Sequence, residues 1–506
     1  MIINEHIYKD KVNACFLGKN IGGTVGFDYE GDRREIVIEG YDKSFDTPMP
    51  NDDLDIQLLW LIALEEKGFD ITAERLGEYW QRYITPHWAE YGIAKVNMRT
   101  GLIPPMSGIA NNSYFKDSNG AWIRSEIWAC LAPGKPEVAV SFALKDCVID
   151  HGDGEGSWAE IFCAAMQSLA FVENDVQKLI NQALCYLPDE TETAKAIRSV
   201  VGCYQQKYTL KQMREYLLTH YRGGSMRSIS EADMERGFDS GRMGFDAPLN
   251  AAIVVAGMLY GEGCFDTMIR STIYFGEDTD CTVGTAASTY GLMYGTDIIE
   301  EKWSAPIGNR IMVACLNLGE LGVYGSQLPQ TVEELCDRIY DRHRIYAKMS
   351  GIPSAAEGID TAEILNDRFR PDERYYWKIQ RELSTVSFCG EFISAHVDYL
   401  DGTCDIAKDI PRPIEITFAS EYKTADVISY RWLVPDGVEV SPYKNGRIFT
   451  MCKEAPLDLG EKKLRFIFTA PEPAETQRYI LELTISGRST HMYIPIVFHL
   501  NNGANM

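Results

Sequence analysis

Four acidic residues stand where chemistry is easiest to read: Asp52 and Asp53 in NDDLDIQLLW, and Asp278 and Asp280 in FGEDTDCTVG. Carboxylates packed together repel one another, and a buried group of them is costly unless hydrogen bonds or divalent cations balance the charge. Each pair also has an ordinary explanation. Asp at a helix start caps free N–H groups and complements the positive end of the helix dipole. Asn51, Asp52 and Asp53 precede an apolar-periodic run from Leu54 to Glu66, so capping accounts for one of them; two adjacent acids with an Asn exceed what a cap requires. Asp55, in the first turn of the same run, reads as a surface acid.

The second pair sits in a more specific setting. Gly276 permits a tight turn, Asp278 and Asp280 are two apart with Cys281 next, and a helical run to Tyr294 is lined with Gly284, Ala286, Ala287 and Gly291. Small residues at that spacing let a helix sit deep among its neighbours, carrying its acidic start inward. A third feature is CFLGKNIGGTVGFDYEG, in which Gly18, Gly22 and Gly26 stand four apart and Glu30 follows at the same interval. On a helix they share one face and invite a second backbone; a tightly packed pair with Glu30 in solvent explains the spacing equally well. In HGDGEGSW, His151, Asp153 and Glu155 share a glycine-rich turn out of register with a calcium loop. A histidine there is ordinarily a structural hydrogen-bonding residue.

The elements that must position these residues are helical from Ile7 to about Met349, with runs at Leu54–Glu66, Thr191–Tyr204, Leu210–His220, Leu249–Tyr260, Thr279–Tyr294 and Val332–Lys348. The Gly351–Glu373 stretch, with Pro, Gly and scattered acids, reads as a connection. Beyond about residue 385 the period becomes two: KLRFIFTA alternates Leu464, Phe466 and Phe468 against Arg465 and Ile467, and Trp432 reads as core. The expected organisation is a mainly α chain: a helical catalytic domain over 1–350, a connecting region over 351–384, and a small β-sandwich, immunoglobulin-like in style, over 385–506.

Composition narrows the function. With 49 basic and 73 acidic side chains the formal charge is −24, which repels nucleic acid and anionic membranes and leaves a phosphate-bearing substrate to metal ions or backbone N–H groups. Thirteen cysteines, an odd number without a C-x-x-C pair, argue for reduced, mostly buried thiols. No run approaches the roughly 20 apolar residues a membrane span needs, and a cytoplasmic location is the default expectation.

Taken in order, these segments resemble the ADP-ribosylglycohydrolase family, which includes the dinitrogenase reductase-activating glycohydrolases and the relatives of J1 crystallin. The family opens with G-x-x-x-G-D-x-x-G-x-x-x-E, matched here by Gly18, Gly22, Gly26 and Glu30, with Gly23 in place of the aspartate. Its T-D-D is matched by Asn51-Asp52-Asp53, and its G-G-D-T-D-T by Gly276 to Cys281. NGAWIRSE, with Gly120 and Arg124, and DHGD, with His151 and Asp153, look similar to two intervening motifs. The resemblance covers roughly residues 7 to 320 and implies an all-α domain holding two divalent cations, Mg²⁺ or else Mn²⁺, with cleavage of the glycosidic bond at C1 of an ADP-ribosyl unit. It implies metal-linked roles for Asn51, Asp52, Asp53, Asp278, Asp280 and Cys281, catalytic roles for Glu30 and Asp53, and substrate contacts at Gly120, His151, Asp153 and Gly276. Cys281 is a soft ligand ill suited to Mg²⁺. Glu30 could serve as general base or general acid. Two other readings stay open: a dinuclear-metal phosphohydrolase, and a catalytically silent ligand-binding or structural relative. A partner for the β domain is not specified by its sequence.

Overall fold

Helices form where the apolar period meets a cap. Asn4 accepts a hydrogen bond from the Ile7 amide (3.0 Å) at the start of the opening helix, Glu5–Gly26. Thr209 and Gln212 form a reciprocal capping box ahead of Leu210–His220. Thr191 and Thr331 cap Glu192–Gln205 and Val332–Ser350 with single bonds, accepting from the Ala194 and Glu334 amides. The helices Leu210–His220 and Thr279–Tyr294 have the ends that the periodicity predicts. This computed structural model describes residues 1–221, 245–366, 371, 373–390, 393–420, 426–450 and 461–500.

The opening helix and Thr279–Tyr294 form the spine of the helical region, and they touch backbone to backbone. A Cβ on Gly18 would lie 2.6 Å from the Ala287 carbonyl oxygen, one on Gly22 2.4 Å from Gly284 Cα, and one on Gly26 2.3 Å from the Asp280 amide nitrogen. As one number rises the other falls, so the helices run antiparallel. The close face expected of the three glycines therefore has a definite partner, the small-residue stripe of Thr279–Tyr294. No helix among the described residues is long and apolar enough to cross a membrane.

The chain from 351 to 384 does more than connect. Ile359–Asp360 pairs antiparallel with Ile2–Ile3, and helices Thr361–Asn366 and Glu373–Ser384 follow. After Ser384 come two five-stranded sheets. One has the order Thr385–Cys389, Ile393–Asp398, Arg412–Ser420, Glu461–Thr469, Glu439–Ser441; the other Asp405–Ile406, His491–Leu500, Thr476–Ile485, Asp426–Leu433, Asn445–Thr450. Their facing residues make one core, with Phe466 and Phe468 turned inward, Arg465 outward, and Trp432 against both phenylalanines. Leu102, Met106, Ile109 and Ala110 of the helical region join this core, and His499 Nε2 lies 3.0 Å from Thr100 Oγ1. The sandwich is thus seated on the helical domain by apolar burial. The described cysteines are free thiols, most of them buried.

Candidate active site

The helix spine brings the acids together. Because Gly26 rests against Asp280, the end of the opening helix lies beside the start of Thr279–Tyr294. The α-helix stops at Gly26, Phe27–Tyr29 make one 3₁₀ turn, and Glu30 follows with φ −54° and ψ 127°. Glu30 therefore sits beyond the helical face that its four-residue interval suggests. Backbone pairing fixes it there: the Gly31 amide donates to the Glu277 carbonyl (2.7 Å) and the Glu277 amide to the Asp32 carbonyl (2.9 Å). This pairing explains Gly276, which has φ +73° and where a Cβ would fall 2.1 Å from the Asp32 carbonyl oxygen. Its contact is with the segment carrying Glu30.

Asp52–Lys67 supplies the other acids. Asn51 is its cap: Oδ1 accepts from the Asp53 amide (2.9 Å), which turns Nδ2 toward Asp280 Oδ2 (3.3 Å). Asn51 thus presents a donor to Asp280, its carbonyl already being engaged. Asp52 accepts from the Tyr91 hydroxyl (2.7 Å). Asp53 is fully buried, 3.1 Å from the Lys19 ammonium, which also reaches Glu126 at 2.8 Å and Thr285 at 3.0 Å. Burial disfavours a charged Lys19, but Glu126 and Asp53 outweigh it and hold the ammonium protonated well above its usual range. Asp55 corrects the expectation of a surface acid: it is buried and accepts from the Ala314 (2.8 Å) and Cys315 (2.6 Å) amides.

These elements surround a cavity of about 510 Å³ lined by Glu30, Asn51, Asp52, Glu90, Asp278, Asp280 and Cys281, with aromatic walls that include Phe27, Trp88, Phe115 and Phe245. Gly120 also lines it. Asp53 is one layer behind, joined through the Cys281 thiol, whose Sγ is 3.4 Å from Asp53 Oδ1. His151 is buried below the cavity, Nδ1 2.9 Å from Asp150 and Nε2 3.2 Å from Ser118 Oγ. Asp153 pairs instead with Lys116 at 2.8 Å, away from the cavity lining. Arg124 lies deeper, bound to Asp146 (2.9 Å) and Asp150 (2.8 Å).

The donors present fit divalent cations. Glu30, Asp278 and Asp280 offer one ligand atom each within 4.8 Å of one another, and so do Asp53, Asp280 and Cys281. Asp278 Oδ1 and Asp280 Oδ1 are buried yet receive no hydrogen bond among the described residues. Burial, then Asp280, pushes the Asp278 carboxyl well above the ordinary range, and desolvation by the protein atoms packed around it, then Asp280 and Asp52, pushes Glu30 up to about 7. Carboxylates crowded until they resist ionisation are what a cation would relieve.

The family model for ADP-ribosylglycohydrolases matches residues 4–346. The chain belongs to the ADP-ribosylglycohydrolase family. A solved structure of an "ADP-ribosylglycohydrolase-related protein complex" covers 66% of this chain and 99% of its own, at 16% identity and a TM-score of 0.44. No curated protein matches the chain. The ADP-ribosylglycohydrolase match begins at the cap of the opening helix and ends within Val332–Ser350, leaving the sandwich outside it. Membership supports a glycohydrolase type of function.

Within this ADP-ribosylglycohydrolase domain, sequence reasoning passed over Lys19, Glu90, Tyr91 and Asn119, the last donating to Asp278 Oδ2 at 2.6 Å. Lys19 could have been found, since a lysine between glycines on a close-packed helix face must bury its charge and find carboxylates. Glu90 and Tyr91 have no comparable signal, because they reach the site from the first turn of the helix Ala89–Arg99, far from the acids in sequence.

Proposed function

We propose that the protein is a divalent-metal-dependent hydrolase that cleaves the glycosidic bond at C1 of an ADP-ribosyl unit. The observation that carries this reading is the pair of buried, undonated oxygens on Asp278 and Asp280 at the floor of a 510 Å³ cavity. Asp278 and Asp280 would hold the cations, Mg²⁺ or Mn²⁺, with Glu30, Asp52 and Cys281 beside them and Asp53, whose charge Lys19 meets, behind. When bound, such ions would neutralise the carboxylate cluster and orient ribose hydroxyls.

The chain's own residues supply the rest. Tyr91 fixes Asp52, Asn119 fixes Asp278, and Asn51 fixes Asp280, so three acids are held before any ligand arrives. Glu30, which lines the cavity, can take a proton from an attacking water. The aromatic walls offer flat surface for a planar base, and Gly120 keeps the Glu90 wall open: a Cβ there would meet Glu90 Oε1 at 2.3 Å.

The test is product analysis with Mg²⁺ or Mn²⁺ present. An ADP-ribosylated arginine peptide should release free ADP-ribose as a reducing sugar. Release of inorganic phosphate from nucleotide substrates would favour a phosphohydrolase instead. Cation binding without turnover of ADP-ribosylated peptides, small ADP-ribosyl compounds or nucleosides would mark a silent relative.

A further inference from the structure

Glycosidic hydrolysis needs a proton donor for the leaving atom as well as a base for water, and the two jobs call for different surroundings. Glu30 belongs to a cluster able to hold a cation, and a carboxyl beside a cation is held ionised and gives up no proton. Glu90 lines the same cavity and belongs to neither cation cluster. It is 6% exposed, in the first turn of the helix Ala89–Arg99. Its position is tightly set. Ala89 adopts a left-handed φ of +43°, which turns the chain toward the cavity, and the Tyr91 hydroxyl anchors the same turn to Asp52.

Behind Glu90 runs a line of buried polar groups. His151 Nε2 is 4.0 Å from Glu90 Oε1 and 3.2 Å from Ser118 Oγ, while its Nδ1 is held by Asp150, itself clamped by Arg124. The ring stands with Nε2 toward Ser118 and Glu90 and Nδ1 toward Asp150. Burial raises the Glu90 carboxyl to about 6, with His151 opposing and Asp150 reinforcing the shift. A carboxyl in that range keeps part of its population protonated near neutral pH.

We propose that Glu90 is the catalytic acid of this cavity, giving its proton to the leaving nitrogen or oxygen as the bond to C1 breaks. A water oxygen bonds to C1 in its place, and that water's proton goes to Glu30. Both carboxyls then return to their starting states by exchange with solvent. His151 is a positioning residue in this scheme, acting through Ser118 and Glu90. The assignment rests on the hydrolase reading above.

The experiment compares the full chain and its Glu90→Gln variant, both loaded with Mg²⁺, on two substrates with the same ADP-ribosyl group. One carries a serine side chain at C1, whose alkoxide leaves only as it takes a proton; the other carries 4-nitrophenol, which departs without help. Glu90→Gln should lose roughly 10²- to 10⁴-fold in kcat on the seryl substrate and less than about tenfold on the nitrophenyl one. Glu90→Ala, should the amide variant fold poorly, should show the same split, with formate restoring cleavage of the seryl substrate. A wild type that cleaves both, with variants that lose both equally or neither, overturns the role of Glu90 alone. A wild type that cleaves neither overturns the glycosidic reading and this assignment together.

Discussion

The carboxylate cluster has two halves that meet their charge differently. On the Asp53 side the fold supplies its own cation: Lys19 reaches Asp53 and Glu126 across a fully buried gap. On the Asp278 and Asp280 side no such counter-charge is present among the described residues, and one oxygen of each acid receives no hydrogen bond. The first half is finished when the chain folds. The second is left open toward a cavity, which is where a mobile cation and its ligand could act. Structure and function are therefore divided along one helix pair, a built-in charge behind and crowded carboxylates facing the cavity in front.

Three substitutions would break or sharpen that division. Lys19→Met strands Asp53 and Glu126 without a counter-charge and should cost about 3–5 kcal/mol of stability in urea unfolding of the metal-free protein. A loss under about 1 kcal/mol would mean that the rear half does not depend on Lys19. Asp280→Ala should act the other way round: calorimetric titration should show Mg²⁺ or Mn²⁺ affinity falling on the order of 100-fold, about 2.8 kcal/mol. The metal-free variant should melt no lower than the parent, because one crowded acid is gone. Unchanged affinity would remove Asp280 from the cation site. Gly22→Ala should touch both halves, since the added methyl meets Gly284 backbone at 2.4 Å. Overpacking of this kind costs about 1–3 kcal/mol, read as a lower melting temperature, and should weaken cation binding through displacement of Asp280.

Periodicity made the front half legible. Gly18, Gly22 and Gly26 announced a close backbone contact, the small residues after Asp280 announced a helix set deep among its neighbours, and the structure makes each the partner of the other. The two-residue period past residue 385 likewise emerges as paired sheets with Phe466 and Phe468 inward. What stayed hidden depends on distant partners. Asp55 looks like a surface acid from its place in a first turn, yet the amides that bury it come from Ala314 and Cys315, some 260 positions along the chain. Glu90 is brought to the cavity by the left-handed conformation of Ala89, and alanine gives no hint of it. Glu30 stood at a helical interval, but the helix ends before reaching it, and pairing with Glu277 takes over.

The backbone contact between the two central helices also bears on how this site can change over generations. At Gly22 and Gly284 no side chain lies between the strands of main chain, so no substitution there can widen or narrow the gap by small steps. Spacing between the acid groups is inherited as a fixed gauge, while the atoms mounted on it are free to vary. Asn51 and Cys281, where the family pattern has threonines, show that freedom in use: side-chain chemistry can drift on a frame whose dimensions cannot.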